Sequence, residues 1–105
     1  MGKLEGKVAI ITGGGKGIGF GLAKAFAKEG ANLTITGRTM SRLEAAKEKL
    51  EAEYGVKVLP ITADGADEAS VANVVKQTVE TFGHIDTVVN NAQVSKSGVR
   101  SEEHT

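Results

Sequence analysis

The amino-acid sequence predicts an α/β fold, in which strands of a parallel sheet alternate with helices that cross over from one strand to the next. Four short runs of apolar, largely β-branched residues are separated by longer segments whose apolar residues recur at helical spacing. The composition is that of an ordered globular domain, since 40% of the 105 residues are hydrophobic and 25% are charged. Fourteen glycines and a single proline indicate tight turns within such a fold.

The composition also argues against several classes of protein. Thirteen basic residues balance thirteen acidic ones, and a formal net charge of zero argues against binding to nucleic acid or to a membrane surface. The absence of cysteine excludes a disulfide scaffold, a thiol nucleophile and a cysteine-ligated metal site. There is neither an apolar run long enough to span a membrane nor the apolar core of a signal peptide. We therefore expect a cytoplasmic protein.

The first strand is predicted at residues 8–11, a run of four apolar residues that ends before Thr12 and Gly13. So short a run of mainly β-branched residues favours a strand over a buried helical segment. A helix is predicted from Gly17, because the apolar residues then recur at helical spacing until Gly30, which is placed to end the helix.

The second unit comprises a strand at residues 33–36 and a helix. Ser41 followed by Glu44 fits a capping box at the start of this helix, and Gly55 is placed to close it. The third strand, at residues 56–62, contains Pro60, which lacks a backbone donor and predicts a strand at the edge of the sheet. One apolar helical face is formed by Leu43, Ala46, Leu50 and Tyr54.

The third helix is predicted to begin after Asp67, as N-cap, and to end at Gly83. A fourth strand follows at residues 85–89, and the last dozen residues are polar. Residues 101–103 resemble the first turn of a helix. The apolar stripe of the third helix consists of Val71, Val74, Val75, Thr78, Val79 and Phe82.

Residues 13–19 join the first strand to the first helix and include five glycines. Such a turn at a helix N-terminus suits a bound anion, because glycine lets a ligand approach the backbone and the helix supplies free N–H groups. The alternative is a tight connection without a ligand. A Walker A motif is absent, because Lys16 is followed by Gly17. The strict G-x-G-x-x-G fingerprint is also absent, because its last position is Ile18.

The spacing of Thr12, Gly13, Gly17 and Gly19 resembles the T-G-x-x-x-G-x-G motif of the short-chain dehydrogenase/reductases. Residues 83–92 resemble the segment of that family that closes its fourth strand with N-N-A-G. The resemblance covers residues 4–93. It implies a Rossmann-type, three-layer fold with a truncated parallel sheet of strand order 3-2-1-4. Residues 1–93 would form a half-domain that binds NAD(P), and residues 94–105 a polar tail.

The resemblance also implies which residues bind the dinucleotide. Gly13, Gly17 and Gly19 would shape the turn around the pyrophosphate, and the backbone around Gly15, Lys16 and Ile18 would contact phosphate and ribose. Asp64, with the backbone of Gly65, would contact the adenine ring; the alternative for Asp64 is a plain turn residue. Asn91 and Ala92 would lie near the cofactor's ribose; the alternative for Asn90 and Asn91 is that they only hydrogen-bond the loop backbone.

The residues after the second strand favour NADP(H) over NAD(H). Rossmann domains that bind NAD usually carry an acid about 20 residues past the glycines, where it holds the ribose 2′-hydroxyl. This region instead reads Thr36, Gly37, Arg38. Arg38 can pair with the 2′-phosphate of NADP(H), and Lys16 would add a second positive charge. The alternative for each is a solvated surface charge.

No catalytic residue is predicted in this chain. The family uses a Tyr-x-x-x-Lys pair and a serine, whereas the one tyrosine, Tyr54, is followed four residues later by Val58 and lies on an apolar helical face. Gln93 stands where the family has glycine. His84 and His104 have no acid–base partner at a recognisable spacing, so surface positions are expected and a metal site is not.

Three functions remain open at this stage. The chain is the N-terminal, dinucleotide-binding part of an NADP(H)-dependent oxidoreductase, or a nucleotide-binding module without catalysis, or an inert truncated fragment. A four-stranded sheet of this order leaves Val88 and Val89 on an open edge and exposes the valine stripe of the third helix. We therefore expect self-association through the fourth strand and the third helix.

Overall fold

The computed structural model describes residues 3–13, 17–63 and 68–89. Strands and helices alternate as the sequence predicts. Their bounds are β1 Val8–Thr12, α1 Gly17–Lys28, β2 Asn32–Gly37, α2 Met40–Tyr54, β3 Val58–Thr62, α3 Glu68–Phe82 and β4 Thr87–Val89. The predictions that concern Asp67, Gln93, His104 and residues 94–105 lie outside the described residues.

The four strands form one parallel sheet in the order β3-β2-β1-β4, which confirms the predicted order. Ile11 at the centre of the sheet lies opposite Ile35 of β2 and Val89 of β4. Pro60 lies in β3 at the edge, opposite Ile35, as its missing N–H predicts.

Alternate residues of the central strands point to opposite faces of the sheet and produce two separate cores. Ala9 and Ile11 pack on the face covered by α1 and α2. Ile10 packs on the other face, with Ile61 of β3 and Val74 of α3. The sheet therefore lies between two helical layers, and the three-layer arrangement is confirmed.

Helix α1 lies close to the sheet because the side chains that it buries are small. Gly19, Ala23 and Ala27 recur every four residues and are buried, so they form one face of the helix. The helix ends as predicted at Gly30, which has a φ of 96°. A Cβ at Gly30 would lie 3.1 Å from Glu5 Cα, so both the backbone conformation and the available space require glycine.

The capping box predicted at Ser41 and Glu44 is wrong. Helix α2 begins at Met40, and its N-cap is Thr39, whose side chain makes no capping hydrogen bond. The Thr39 carbonyl accepts hydrogen bonds from the N–H groups of Arg42 and Leu43, so the backbone already turns at Thr39 and Ser41 lies inside the helix. At its other end α2 closes at Gly55 in the left-handed region, as predicted.

The apolar stripe of α3 is only partly buried. Val74 and Thr78 face the sheet and are buried, whereas Val71, Val75 and Val79 remain exposed. Two strands also begin later than predicted. Strand β3 begins at Val58, because the N–H groups of Lys57 and Val58 donate to side-chain oxygens rather than to a neighbouring strand. Strand β4 begins only after Asp86. No helix within the described parts of the chain is long and apolar enough to cross a membrane.

Candidate functional site

The carboxyl ends of the parallel strands form one edge of the sheet, and the chain changes direction there. From β1 it proceeds to β2 and β3 on one side, then crosses back to β4 on the other side of β1. Ligands of open α/β sheets bind outside the carboxyl ends of the strands at such a switch point. The crevice next to the end of β1 is therefore the candidate site.

Two described glycines, Gly13 and Gly17, flank the segment between β1 and α1. Gly13 and Gly17 have φ values of 71° and 61°, in the left-handed region that side chains disfavour. Helix α1 begins at Gly17, has no acidic residue in its first turn, and places Gly19 against the sheet. The amino end of α1, with its free N–H groups and positive dipole end, is thus compatible with a bound anion.

Ile18 is the most exposed large apolar residue in the described part of the chain, at 77% of its full accessibility. It occupies the first turn of α1, immediately after Gly17 and beside the buried Gly19. Its side chain contributes nothing to the core, so a ligand lying across the end of β1 can contact it without disturbing the fold.

Arg38 follows the end of β2 at the same edge and is exposed. Among the described residues, neither of the two ion pairs includes it, and no acidic residue lies in the first turn of α2. Gly37, which precedes Arg38, packs closely against α2, since a Cβ there would lie 3.3 Å from Leu43 Cδ2. Within the described residues, the end of β2 therefore presents a positive charge and no carboxylate.

A side-chain hydrogen bond joins the two strands that flank the switch point. The Thr12 hydroxyl donates to the Val89 carbonyl at 3.3 Å, which ties the carboxyl ends of β1 and β4 together. Sequence reasoning used Thr12 only as part of the glycine motif and assigned no role to its hydroxyl. Its position as the last residue before the turn was the available signal.

The predicted cofactor residues fall into two groups. Those that the structure describes lie at the carboxyl edge, after β1 and after β2, and this group is Gly13, Gly17, Ile18, Gly19 and Arg38. The remaining predictions fall outside the described residues, and this group is Gly15, Lys16, Asp64, Gly65, Asn91 and Ala92. Tyr54, the last residue of α2, is partly buried against the core, as predicted.

His84 corrects one prediction. Its side chain is on the surface as expected, but it does have an acid–base partner, because its Nε2 lies 2.9 Å from Asp86 Oδ2. The hydrogen bond from the Val8 N–H, followed by the charges of His84 and Lys7, lowers the pKa of Asp86 although desolvation opposes it. This pair precedes β4, at the amino edge of the sheet, and so lies away from the candidate site. The described residues contain no cluster of potential metal ligands.

Comparison with known proteins identifies the family to which this chain is similar. The short chain dehydrogenase family matches residues 7–105. A 12alpha-hydroxysteroid dehydrogenase from Clostridium sp. (strain ATCC 29733 / VPI C48-50) is 53% identical over 105 residues, an alignment that covers 94% of this chain. L-Sorbose reductase from Gluconobacter frateurii, solved with NADPH and L-sorbose, is 41% identical, with a TM-score of 0.79 over 84% of this chain.

A third relative is the alcohol dehydrogenase of the archaeon Thermococcus sibiricus, solved with 5-hydroxy-NADP. It is 39% identical, with a TM-score of 0.74 over 78% of this chain and 35% of its own. The chain spans 40% of the hydroxysteroid dehydrogenase and 33% of the sorbose reductase. Since the family match extends over nearly all of its length, the chain belongs to the short chain dehydrogenase family.

Proposed function

We propose that this chain is the dinucleotide-binding part of an oxidoreductase that uses NADP(H). One observation carries the proposal: the glycine turn at the start of α1 and the carboxylate-free end of β2, with Arg38, occur at the same edge of one sheet. When bound, the nicotinamide ring would carry the hydride that such an enzyme transfers to or from a carbonyl or alcohol carbon.

The pyrophosphate would lie over the turn between β1 and α1. Gly13 and Gly17 adopt left-handed backbone conformations and have no side chain, so a ligand can approach the backbone there, and the buried Gly19 lets the helix approach the sheet. The absence of acidic residues in the first turn of α1 supports the accommodation of two phosphate groups. We retain Gly15, Lys16 and Ile18 as further contacts to phosphate and ribose.

Arg38 would bind the 2′-phosphate that distinguishes NADP(H) from NAD(H). An exposed guanidinium without a carboxylate partner among the described residues is available for a charge-assisted, bidentate contact. The complexes of two relatives, one with NADPH and one with 5-hydroxy-NADP, support the same preference. Asp64 and Gly65 at the adenine ring, and Asn91 and Ala92 near the ribose, complete the proposed site.

The chemical step is proposed for the whole protein, with no catalytic residue in this chain. Tyr54, at the end of α2, packs partly buried against the core and has no lysine four residues later. A hydroxysteroid dehydrogenase and a sugar reductase are both among the relatives, so the likeness supports the class of reaction and leaves the substrate open.

We also propose a cytoplasmic location, which accords with the absence of cysteine.

Calorimetric titration of the chain with NADPH, NADP⁺, NADH and an adenosine 2′,5′-bisphosphate fragment tests the proposal. We expect saturable binding of NADPH and NADP⁺, which carry the 2′-phosphate, with an affinity at least about tenfold above that for NADH, as one charge-assisted contact provides. Binding without a difference between NADPH and NADH contradicts the NADP(H) preference. No binding of any of the four contradicts dinucleotide binding itself.

We also propose that the chain self-associates. In the described sheet β4 is an edge strand and exposes Val88, at 56% of its full accessibility, and α3 exposes Val71, Val75 and Val79. The outermost strand on the other side of the sheet is β3, which is protected by Pro60. Light scattering after size-exclusion chromatography should show a dimer or larger species that Val88→Lys dissociates. Thr62→Lys on the other edge strand is the control, and a wild-type monomer at all concentrations contradicts this proposal.

A further inference from the structure

Strand β4 has little burial to hold it in place. It comprises only Thr87, Val88 and Val89, and in the described sheet it pairs with β1 alone. Thr87 and Val88 are exposed, and Val89 is partly buried. A strand this short and exposed gains little from the hydrophobic effect, so its position depends on specific polar contacts.

Asp86, immediately before β4, makes two hydrogen bonds to a single residue of β1. Its backbone N–H donates to the Val8 carbonyl at 2.9 Å. Its carboxylate Oδ2 accepts the Val8 N–H at 2.8 Å. The next residues, Ala9 and Thr87, form the first pair of the β1–β4 ladder. The contact of Asp86 with Val8 therefore fixes which residues pair along the whole of β4.

His84 holds the Asp86 carboxylate from the other side. Its Nε2 lies 2.9 Å from the same Oδ2 and 3.2 Å from the Gly6 carbonyl. Both of these neighbours are acceptors, so Nε2 must carry the proton and donate. Lys7 adds a positive charge near the carboxylate. Residues 84–86 are thus joined to residues 6–8, which lie 78 positions away in the sequence.

We propose that Asp86, held by His84, is a positioning residue that keeps β4 in register with β1. This register places the Val89 carbonyl beside the Thr12 hydroxyl at the carboxyl ends of the two strands. A slip of one residue would displace β4 by about 3.3 Å and turn each side chain to the other face. The consequence for NADP(H) binding rests on the proposed function, because Thr12 adjoins the glycine turn.

Hydrogen exchange of the full chain tests this inference, with Asp86→Ala compared with Glu51→Ala. Glu51 is a matched control, because its Oε2 accepts the Val58 N–H at 2.9 Å at the start of β3. In Asp86→Ala we expect the β4 amides to exchange about tenfold faster, as for the loss of one hydrogen bond to a charged group, with β2 and β3 unchanged. In Glu51→Ala the faster exchange should occur at β3.

The same variants separate positioning from general destabilisation. NADPH affinity should fall about tenfold in Asp86→Ala, remain at the wild-type value in Glu51→Ala, and return to within about twofold in Asp86→Asn, which keeps an oxygen acceptor for Val8. Exchange at β4 that stays at the wild-type rate in Asp86→Ala overturns the inference. So does an equal loss of NADPH affinity in Glu51→Ala.

Two further outcomes are decisive. If Asp86→Ala does not fold, His84→Ala replaces it: exchange should rise about threefold, as for one weaker hydrogen bond, at the β4 amides alone, and wild-type exchange there overturns the inference. If the wild-type chain binds no NADPH, the proposed function fails, whereas the exchange comparison still decides whether Asp86 positions β4.

Discussion

The hydroxyl oxygens of Thr34 and Thr78 lie 2.8 Å apart in the buried layer between β2 and α3. Thr78 Oγ1 also donates to the Val74 carbonyl at 2.7 Å, so its only proton is already used. Thr34 must therefore donate to Thr78, and this chain of hydrogen bonds runs from the sheet into the helix. Both residues are fully buried, and each hydroxyl has its partner.

Removing one hydroxyl of this pair should cost more than removing both. Thr78→Val leaves the Thr34 hydroxyl buried without its acceptor, and we expect the free energy of unfolding to fall by about 1–3 kcal/mol. The double variant Thr34→Val/Thr78→Val should recover part of this loss, because no buried hydroxyl is left unpaired. Urea unfolding of the set measures the difference, with Thr81→Val on the exposed side of α3 as control. Additive losses in the double variant would contradict the coupling.

Arg38→Ala should weaken NADPH binding by about 10- to 100-fold and change NADH binding little. The expected loss is that of a charge-assisted contact to a phosphate that only NADPH carries. Lys57→Ala, which removes a positive charge before β3 at the amino edge of the sheet, is the control for long-range electrostatics. Calorimetry with both cofactors measures the effect, and equal losses for the two would reject the role of Arg38.

Gly37→Asp should reverse the cofactor preference and also reduce stability. The new carboxylate would repel a 2′-phosphate and could accept a hydrogen bond from the 2′-hydroxyl of NADH. Its Cβ would lie 3.3 Å from Leu43 Cδ2, so this side chain must move by a few tenths of an ångström, and we expect an overpacking cost of about 1 kcal/mol. Gly37→Ala has the same Cβ without the charge. Gly37→Ala should therefore share the stability loss and keep the NADPH preference; a preference lost in both variants would implicate packing alone.

Gly17 and Gly21 of α1 should respond oppositely to alanine. A Cβ would meet no atom within 4 Å at either position, so only the backbone conformation distinguishes them. Gly17 has a φ of 61°, and alanine there should cost about 1–2 kcal/mol. Gly21 lies within the helix at negative φ, where alanine should stabilise by about 0.5–1 kcal/mol. Chemical denaturation of the two variants compares them, and equal effects would mean that Gly17 is not strained.

Patterns of apolar residues and glycines were sufficient to predict the order of the elements, a parallel sheet and the ends of the three helices. The order of the strands within the sheet was implied by the family resemblance. The edge position of β3 followed from Pro60, because a missing backbone donor has one structural consequence. The cap of α2 was mispredicted, because Thr39 and Ser41 are both good caps and the choice is made by the backbone turn at Thr39.

Contacts between residues distant in sequence account for the rest. The spacing of His84 and Asp86 does not reveal that both contact the start of β1, since that contact exists only once β4 lies beside it. The bond from Thr12 to Val89 is hidden for the same reason. Composition and periodicity describe what each segment buries, whereas a hydrogen bond between strands requires the register of the assembled sheet.

Asp86 should also make the chain less stable in acid. Its pKa is lowered in the folded state from the ordinary 3.8, chiefly by the Val8 N–H, so the unfolded chain binds a proton at higher pH than the folded chain does. The stability that Asp86 contributes is therefore present above pH 3.8 and is lost as the pH falls through the lower, folded-state value. Asp86→Asn cannot titrate, and its free energy of unfolding should decline less steeply between about pH 5 and pH 2. Urea unfolding across this range measures the slopes for wild type and Asp86→Asn. Glu51→Gln is the comparison variant, because it replaces another carboxylate that accepts a strand N–H. Parallel slopes for wild type and Asp86→Asn would show that the Val8 N–H does not favour the charged carboxylate.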